Sequence, residues 1–125
     1  MRIRTLVPLI LLASVSVAFA APMVKTVKTD KGEVLAGEKG MTLYTFKKDT
    51  AGVSNCNGDC AKAWPPFLAE AGAKADDDYT LVKRTDGSMQ WAYYGKPLYY
   101  WMEDKKEGDV TGDGFKGVWD AARPE

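Results

Sequence analysis

Two segments of this chain are copies of one another at a constant offset of 55 residues. Gly32, Gly40, Leu43, Tyr44, Asp49 and Trp64 return as Gly87, Gly95, Leu98, Tyr99, Asp104 and Trp119, and Phe46 returns as Trp101. The copies align without a gap. A repeat defines the structural unit before any single motif does, and neighbouring repeats bury together what one unit would expose. The fold is therefore constrained to be pseudo-symmetric, and the places where the copies differ become the guide to function.

The start of the chain reads as a secretory leader. Arg2 and Arg4 give a positive beginning, Val7 to Phe19 is apolar, and Ala18-Phe19-Ala20 is a small-x-small cleavage signal. The apolar run is too short for a comfortable membrane span and is broken by Ser14 and Ser16. Cleavage of residues 1–20 leaves 105 of the 125 residues, expected as one domain, 21–125, with its copies at about 24–66 and 79–124. No other segment suggests a membrane span. Without Arg2 and Arg4, 15 basic residues face 17 acidic ones, a net charge of −2 with no basic stripe. That composition argues against nucleic acid or an anionic membrane as partner. The chain has no histidine. This removes the commonest general base and metal ligand, and with them any Ser-His-Asp or Cys-His mechanism.

Each copy reads as a three-stranded antiparallel meander. In copy one the strands are Val24–Thr29, Glu33–Ala36 and Met41–Lys47, with turns at Asp30-Lys31-Gly32 and Gly37 to Gly40. In copy two they are Tyr79–Arg84, Ser88–Tyr93 and Pro97–Met102. A long glycine-rich excursion follows each meander and ends at Trp64 or Trp119. Phe67 to Asp78, rich in alanine and acid, reads as a packed linker or a short helix with a loop. The expected fold is mainly β, two related meanders placed face to face as one small domain. Period-two alternation sends Leu43 and Thr45 to one face of the third strand and Tyr44 and Phe46 to the other, with Leu98, Tyr100, Tyr99 and Trp101 matching. Trp91, Tyr93, Tyr94 and Tyr100 either complete a small core or present an aromatic surface to a sugar, peptide or glycan.

Several short patterns occur together. Tyr44-x-Phe46-x-x-Asp49 and Tyr99-x-Trp101-x-x-Asp104 fit a Tyr-x-aromatic-x-x-Asp motif. Around them stand Ser54-x-Cys56-x-Gly58-x-Cys60-Ala61, Trp64-Pro65-Pro66, Arg84-x-Asp86-Gly87, Gln90-Trp91, Gly95-Lys96-Pro97-Leu98-Tyr99 and Gly117-Val118-Trp119. In this combination the chain resembles the bacterial secreted repeat of unknown function, also described as predicted lipoproteins with a Tyr-x-(Phe/Trp/Tyr)-x-x-Asp motif. The resemblance implies an envelope location and no particular reaction. No cysteine stands at the leader cleavage site, so a periplasmic or secreted protein is expected rather than a lipid-anchored one.

Three constellations are candidates for chemistry. Cys56 and Cys60 are the only cysteines, and copy two has Thr111 and Phe115 in their place. In an oxidising compartment they are expected to close a small disulfide loop across Asn57-Gly58-Asp59, contributing roughly 2 kcal/mol by the chain-entropy argument. The alternative is redox work or soft copper bound with Met41, Met89 or Met102. Asp109, Thr111, Asp113 and Asp120 fall at positions 1, 3, 5 and 12 of a twelve-residue frame, the oxygen spacing of a calcium loop. Lys116 and the missing flanking helix depart from that pattern. Asp49 and Asp104 come where a strand ends, where a carboxylate can accept its own downstream amides. The residues call for no cofactor. The expected function is non-catalytic: a binding or accessory module for an envelope protein or small ligand.

Overall fold

The computed structural model describes residues 22–125; the leader expected at 1–20 lies outside them. The elements are β1 (Lys25–Thr29), β2 (Gly32–Ala36), β3 (Tyr44–Phe46), α1 (Asp59–Ala63), β4 (Tyr79–Lys83), β5 (Met89–Tyr93), β6 (Lys96–Pro97) and β7 (Trp119–Ala121). Single 3-10 turns lie at Glu38–Gly40 and Phe115–Gly117. Strand pairing is antiparallel throughout, so the chain is mainly β, as expected.

Each copy opens with a hairpin, and the register corrects the gapless alignment. Val27 lies opposite Val34 in the first hairpin, and Val82 opposite Gln90 in the second. β1 and β4 are thus related by 55 residues, but β2 and β5 by 56. Two compensating changes hide in the sequence. The β1–β2 turn holds two residues, Asp30-Lys31, whereas the β4–β5 turn holds three, Thr85-Asp86-Gly87. The next turn is shorter in copy two, where Tyr94-Gly95 alone joins Tyr93 to Lys96. Three-residue hairpin turns want glycine in a left-handed conformation, and Gly87 supplies it with φ +88°.

The expected third strand of each copy divides its pairing between the two copies. Leu43 N–H donates to Leu35 O at 2.9 Å inside its own hairpin. One residue later the chain leaves its own copy, and β3 pairs with β7, the end of the other copy's excursion. Copy two does the reverse. Leu98 N–H donates to Trp91 O (2.9 Å), and then Tyr100 and Met102 donate to Pro65 O (2.7 Å) and Ala63 O (3.0 Å). Lys47 N–H donating to Val118 O (2.8 Å) is the counterpart of that last bond. At the centre, Tyr44 and Tyr99 exchange both backbone bonds, at 2.8 and 3.0 Å. The copies are therefore stitched through main chain as well as packed.

The linker after Trp64 forms no helix. Phe67 O accepts from Trp91 N–H, and Ala69 N–H donates to Met89 O, both at 2.9 Å, so this segment runs along β5. Ala122 takes the matching place beside β2 through Leu35 N–H, at 2.8 Å. α1 stops at Trp64 because Pro65 disfavours the helical conformation in the residue before it, and Trp64 sits at φ −121°, ψ 76°.

Period-two alternation divides the interior into two clusters. Leu43 and Leu98 point into one with Leu35, Phe67, Trp91 and Tyr93. Tyr44 and Tyr99 point into the other with Val34, Cys56, Trp64 and Trp119. All four central side chains are fully buried. The second cluster contains a column of rings: Phe46 on Trp119 (4.2 Å between centroids), Trp119 on Trp64 (3.8 Å, 3° between planes) and Trp64 on Trp101 (4.0 Å). Each motif aromatic caps the tryptophan of the opposite copy, which is why an aromatic is needed at Phe46 and Trp101. Offset stacking adds about 0.5–1.5 kcal/mol per pair beyond burial. Two indoles stacked this closely should couple their electronic transitions. A tryptophan exciton couplet is expected in circular dichroism and should vanish in Trp64→Phe, which removes both indole–indole contacts; an unchanged couplet would contradict the stack.

Candidate functional site

The motif tyrosines and aspartates pair across the copies. Tyr44 Oη donates to Asp104 Oδ2 at 2.6 Å, and Tyr99 Oη donates to Asp49 Oδ2 at 2.7 Å. The remaining oxygen of each aspartate starts its own loop: Asp49 Oδ1 accepts Asn55 N–H (2.7 Å), and Asp104 Oδ1 accepts Thr111 N–H (3.0 Å) and Thr111 Oγ1 (2.6 Å). Each carboxylate thus ties a loop of one copy to a strand of the other. Burial, and next the hydrogen bond to Asp104, pushes the Tyr44 phenol far above its ordinary range. The Tyr99 phenol is raised mainly by burial, with Asp49 adding to it. Burial also raises the Asp49 carboxyl, against its hydrogen bonds from Tyr99 and Asn55.

The copies differ at the next shell of polar groups. Arg84 is buried, 6% exposed. Its guanidinium donates to Ser54 Oγ (3.0 Å), Gln90 Oε1 (2.8 Å) and Cys56 O (2.8 Å), and Ser54 Oγ lies 2.6 Å from Tyr99 Oη. Copy one has Thr29 and Val34 where copy two has Arg84 and Gln90. In the sequence Arg84 and Gln90 stand out only as parts of the family resemblance. A lone arginine beside a glycine turn gives no sign that it will be buried. Cys56 and Cys60 form a disulfide, with Cys56 fully buried. Arg84 holds the carbonyl of that loop, so cation and disulfide pin the same excursion.

The seam between the copies opens into a cleft of about 430 Å³, within the roughly 300–1,000 Å³ typical of small-molecule sites. One wall is the end of β3 and the Asp49–Ala51 turn; the other is the Tyr94-Gly95-Lys96 turn, with Asp120 of β7 at the side. Lys47 Nζ lies 3.7 Å from Asp120. Gly52 N–H donates to Gly95 O at 2.9 Å and closes one end. The pseudo-equivalent seam of the other copy is occupied. There the Glu107 side chain lies directly over Gly40, where a Cβ would collide with it. Glu107 pairs with Lys25, and Thr42 Oγ1 donates to Asp109 O (2.6 Å). Over Gly95 there is only the Ala51 methyl, 3.7 Å from where a Cβ on that glycine would stand. Small Ala51-Gly52 against bulky Lys106-Glu107 is the sequence difference that leaves one seam open.

Tyr94 borders the cleft. It occupies the first position of a two-residue turn with φ +48°, followed by Gly95 at +79°. That geometry favours asparagine or glycine, and a bulky residue there costs on the order of 1–3 kcal/mol. The residue is 52% exposed, and its ring meets Tyr93 edge-on at 4.7 Å.

The other sequence candidates separate. Of the four aromatic residues read as a possible surface, Trp91 and Tyr93 are buried, Tyr100 is half-buried with its hydroxyl accepting Glu38 N–H (2.9 Å), and Tyr94 is exposed. They form no shared platform, because β5 turns its residues into the core on both faces. The calcium-frame oxygens are directed apart. Asp109 Oδ2 accepts Lys105 and Lys106 N–H at 2.8 and 3.1 Å, and Thr111 serves Asp104. Asp113 accepts Ala121 N–H (2.8 Å) and Arg123 (3.1 Å), while Asp120 faces Lys47. Among the described residues no three histidine, cysteine, aspartate or glutamate side chains gather to hold a metal. Of the methionines considered for copper, Met102 is exposed and Met41 and Met89 are half-buried.

These features define a small disulfide-bonded β protein of two repeats that exchange their loop ends and share one open seam. The chain belongs to the family described as a secreted repeat of unknown function, which matches it over residues 25–67 and 80–123. No curated protein and no solved structure matches it. Among the described residues no helix is long and apolar enough to cross a membrane.

The paired tyrosines are open to direct test. Tyr44→Phe leaves Asp104 Oδ2 and Gly112 N–H, which also bonds Tyr44 Oη (3.2 Å), without that partner. A loss of roughly 1–3 kcal/mol is expected in chemical denaturation. Tyr99→Phe should cost less, because Asp49 is half-buried whereas Asp104 is 7% exposed; the reverse order would contradict this ranking. Alkaline stability follows from the same burial. The phenols of Tyr79 and Tyr100 are pushed up by burial from 10.0 to about 12, and those of Tyr44 and Tyr99 further still. In the folded chain these four phenols keep their protons where the unfolded chain releases them. Stability is therefore full below pH 10 and falls as pH rises above it. Most of the tyrosinate absorbance, that of these four phenols, should rise together with loss of the tryptophan couplet, not before it.

Proposed function

We propose that the protein is a non-catalytic secreted binding module that takes its ligand in the open cleft at the seam. The observation that carries this reading is the asymmetry of the two seams. The repeat provides two equivalent positions, one closed by Glu107 over Gly40 and the other left open over Gly95. Cleft volume, mixed polar and apolar lining, and an exposed tyrosine held in a costly backbone conformation all sit on the open side. The positive φ is common to both seams, Lys39 having +56° against +48° at Tyr94, so the open side differs by its exposed tyrosine and its cleft. The non-catalytic part of the reading rests on the motif groups themselves. Tyr44, Tyr99, Asp49 and Asp104 are engaged with one another and with backbone amides, and the chain offers no histidine to activate a nucleophile.

A fragment screen by amide-resolved NMR on the oxidised full chain tests it. Small polar-aromatic fragments should shift Tyr94, Gly95 and Phe46 and leave Lys39 and Gly40 unmoved. Ala51→Trp, which fills the cleft from an exposed position, should abolish those shifts without lowering stability. Fragments that spread evenly over both seams, or that still bind the filled variant, would refute the cleft as the site.

A further inference from the structure

We infer that the ligand of this cleft is a neutral carbohydrate, with the Tyr94 ring stacking on a sugar face; the inference rests on the binding reading above. Three properties of the cleft point to this chemistry. The first is charge. Two lysines and two aspartates line it, Lys47 and Lys96 against Asp49 and Asp120. They balance, Lys47 is turned on Asp120, and Asp49 already accepts from Tyr99 and Asn55. A cleft built for an anion or a cation would carry an excess of the opposite sign. This one offers no net field to an ion, only donors and acceptors side by side.

The second property is the kind of polar group. Thr45, Thr50, Lys96 and Asp120 are among the residues that line it, and their side chains carry hydroxyls, an ammonium and a carboxylate. A sugar hydroxyl is both donor and acceptor and is satisfied by such a mixture. An apolar ligand would leave these groups unpartnered, at a cost of about 1–3 kcal/mol for each that becomes buried.

The third property is the ring. Tyr94 is exposed on a two-residue turn, and its turn is braced on both sides. Its own N–H donates to Asp78 O at 2.9 Å, and Gly95 O accepts from Gly52 N–H at 2.9 Å. Its phenol, raised first by a hydrogen bond to the Asp78 carboxylate, is neutral like any tyrosine below pH 10. A pyranose presents axial C–H groups on one face and hydroxyls around its edge. A flat neutral ring flanked by mixed donors and acceptors is complementary to that shape. The pseudo-equivalent turn carries Lys39 at the same backbone conformation, φ +56°. Copy two therefore keeps the positive φ before the glycine, in a turn one residue shorter, and carries an aromatic there, on the side where the cleft is open.

The test is NMR titration of the oxidised full chain with maltotetraose and chitotetraose, beside an oligogalacturonate and a neutral tetrapeptide. Saturable shifts of Tyr94, Gly95 and Phe46 are expected with at least one neutral sugar, little changed by added salt. Tyr94→Ala should weaken binding roughly tenfold, Tyr94→Phe should keep it, and Lys39→Ala should leave it unchanged. Tyr94→Gly, which relieves the strained φ, guards against a folding defect: it should also lose the sugar while gaining stability. A cleft that answers only to the uronate or the peptide overturns the carbohydrate inference and leaves the binding reading standing. So does silence towards all four probes in a cleft that accepts fragments. A cleft that also rejects fragments overturns both.

Discussion

The reciprocal pairing of Tyr44 with Asp104 and Tyr99 with Asp49 is the constraint on which the rest of the structure depends. Each hydroxyl reaches a carboxylate of the opposite copy, at 2.6 and 2.7 Å, and flanks the point where Tyr44 and Tyr99 exchange backbone hydrogen bonds. Burying a carboxylate is costly unless its lone pairs are filled. Here they are filled by one phenol from across the seam and by amides of the local loop. Neither copy can satisfy its own motif, so the motif recurs in both. The same logic governs the ring column, in which Phe46 and Trp101 cap the tryptophan that the other copy sends across.

Reciprocity in the centre leaves the periphery free to diverge. Copy one keeps a disulfide in its excursion, held by the buried Arg84 of copy two through Cys56 O. Copy two instead closes its side with the Lys105–Asp109 turn, Glu107 lying over Gly40 and Asp109 accepting two backbone amides. One seam is consequently shut, while the other is closed at one end by Gly52 N–H donating to Gly95 O and otherwise open. The shared core positions both turns, and the residues around them decide which seam is shut.

Much of the fold was legible in the chain. Period-two alternation and turn residues gave the hairpins to within a residue or two, since Asp-Lys-Gly and Asp-Gly signals act locally. The two inward faces at Leu43 and Tyr44 were legible for the same reason. Three things were not. The offset of 55 concealed compensating one-residue changes, because Gly32 and Gly87 match by name while occupying different places in their turns. β7 was missed because Trp119–Ala121 has no strand pattern of its own and is extended only by pairing with β3. The four oxygens at calcium-loop spacing, Asp109 to Asp120, are turned to separate partners, which spacing alone does not reveal.

The repeat, the β class, the aromatic motif and the pairing of the only two cysteines can be read from the chain alone, because each of these rests on local propensity or on counting. Tertiary structure alone decided who partners whom across the seam, that Arg84 is buried, that Trp91 and Tyr93 are core while Tyr94 is exposed, and that one of two equivalent seams stays open. Those outcomes depend on residues far apart in the chain meeting in space, as Arg84 meets Cys56 and Phe46 meets Trp119, and no periodicity within one segment carries that information.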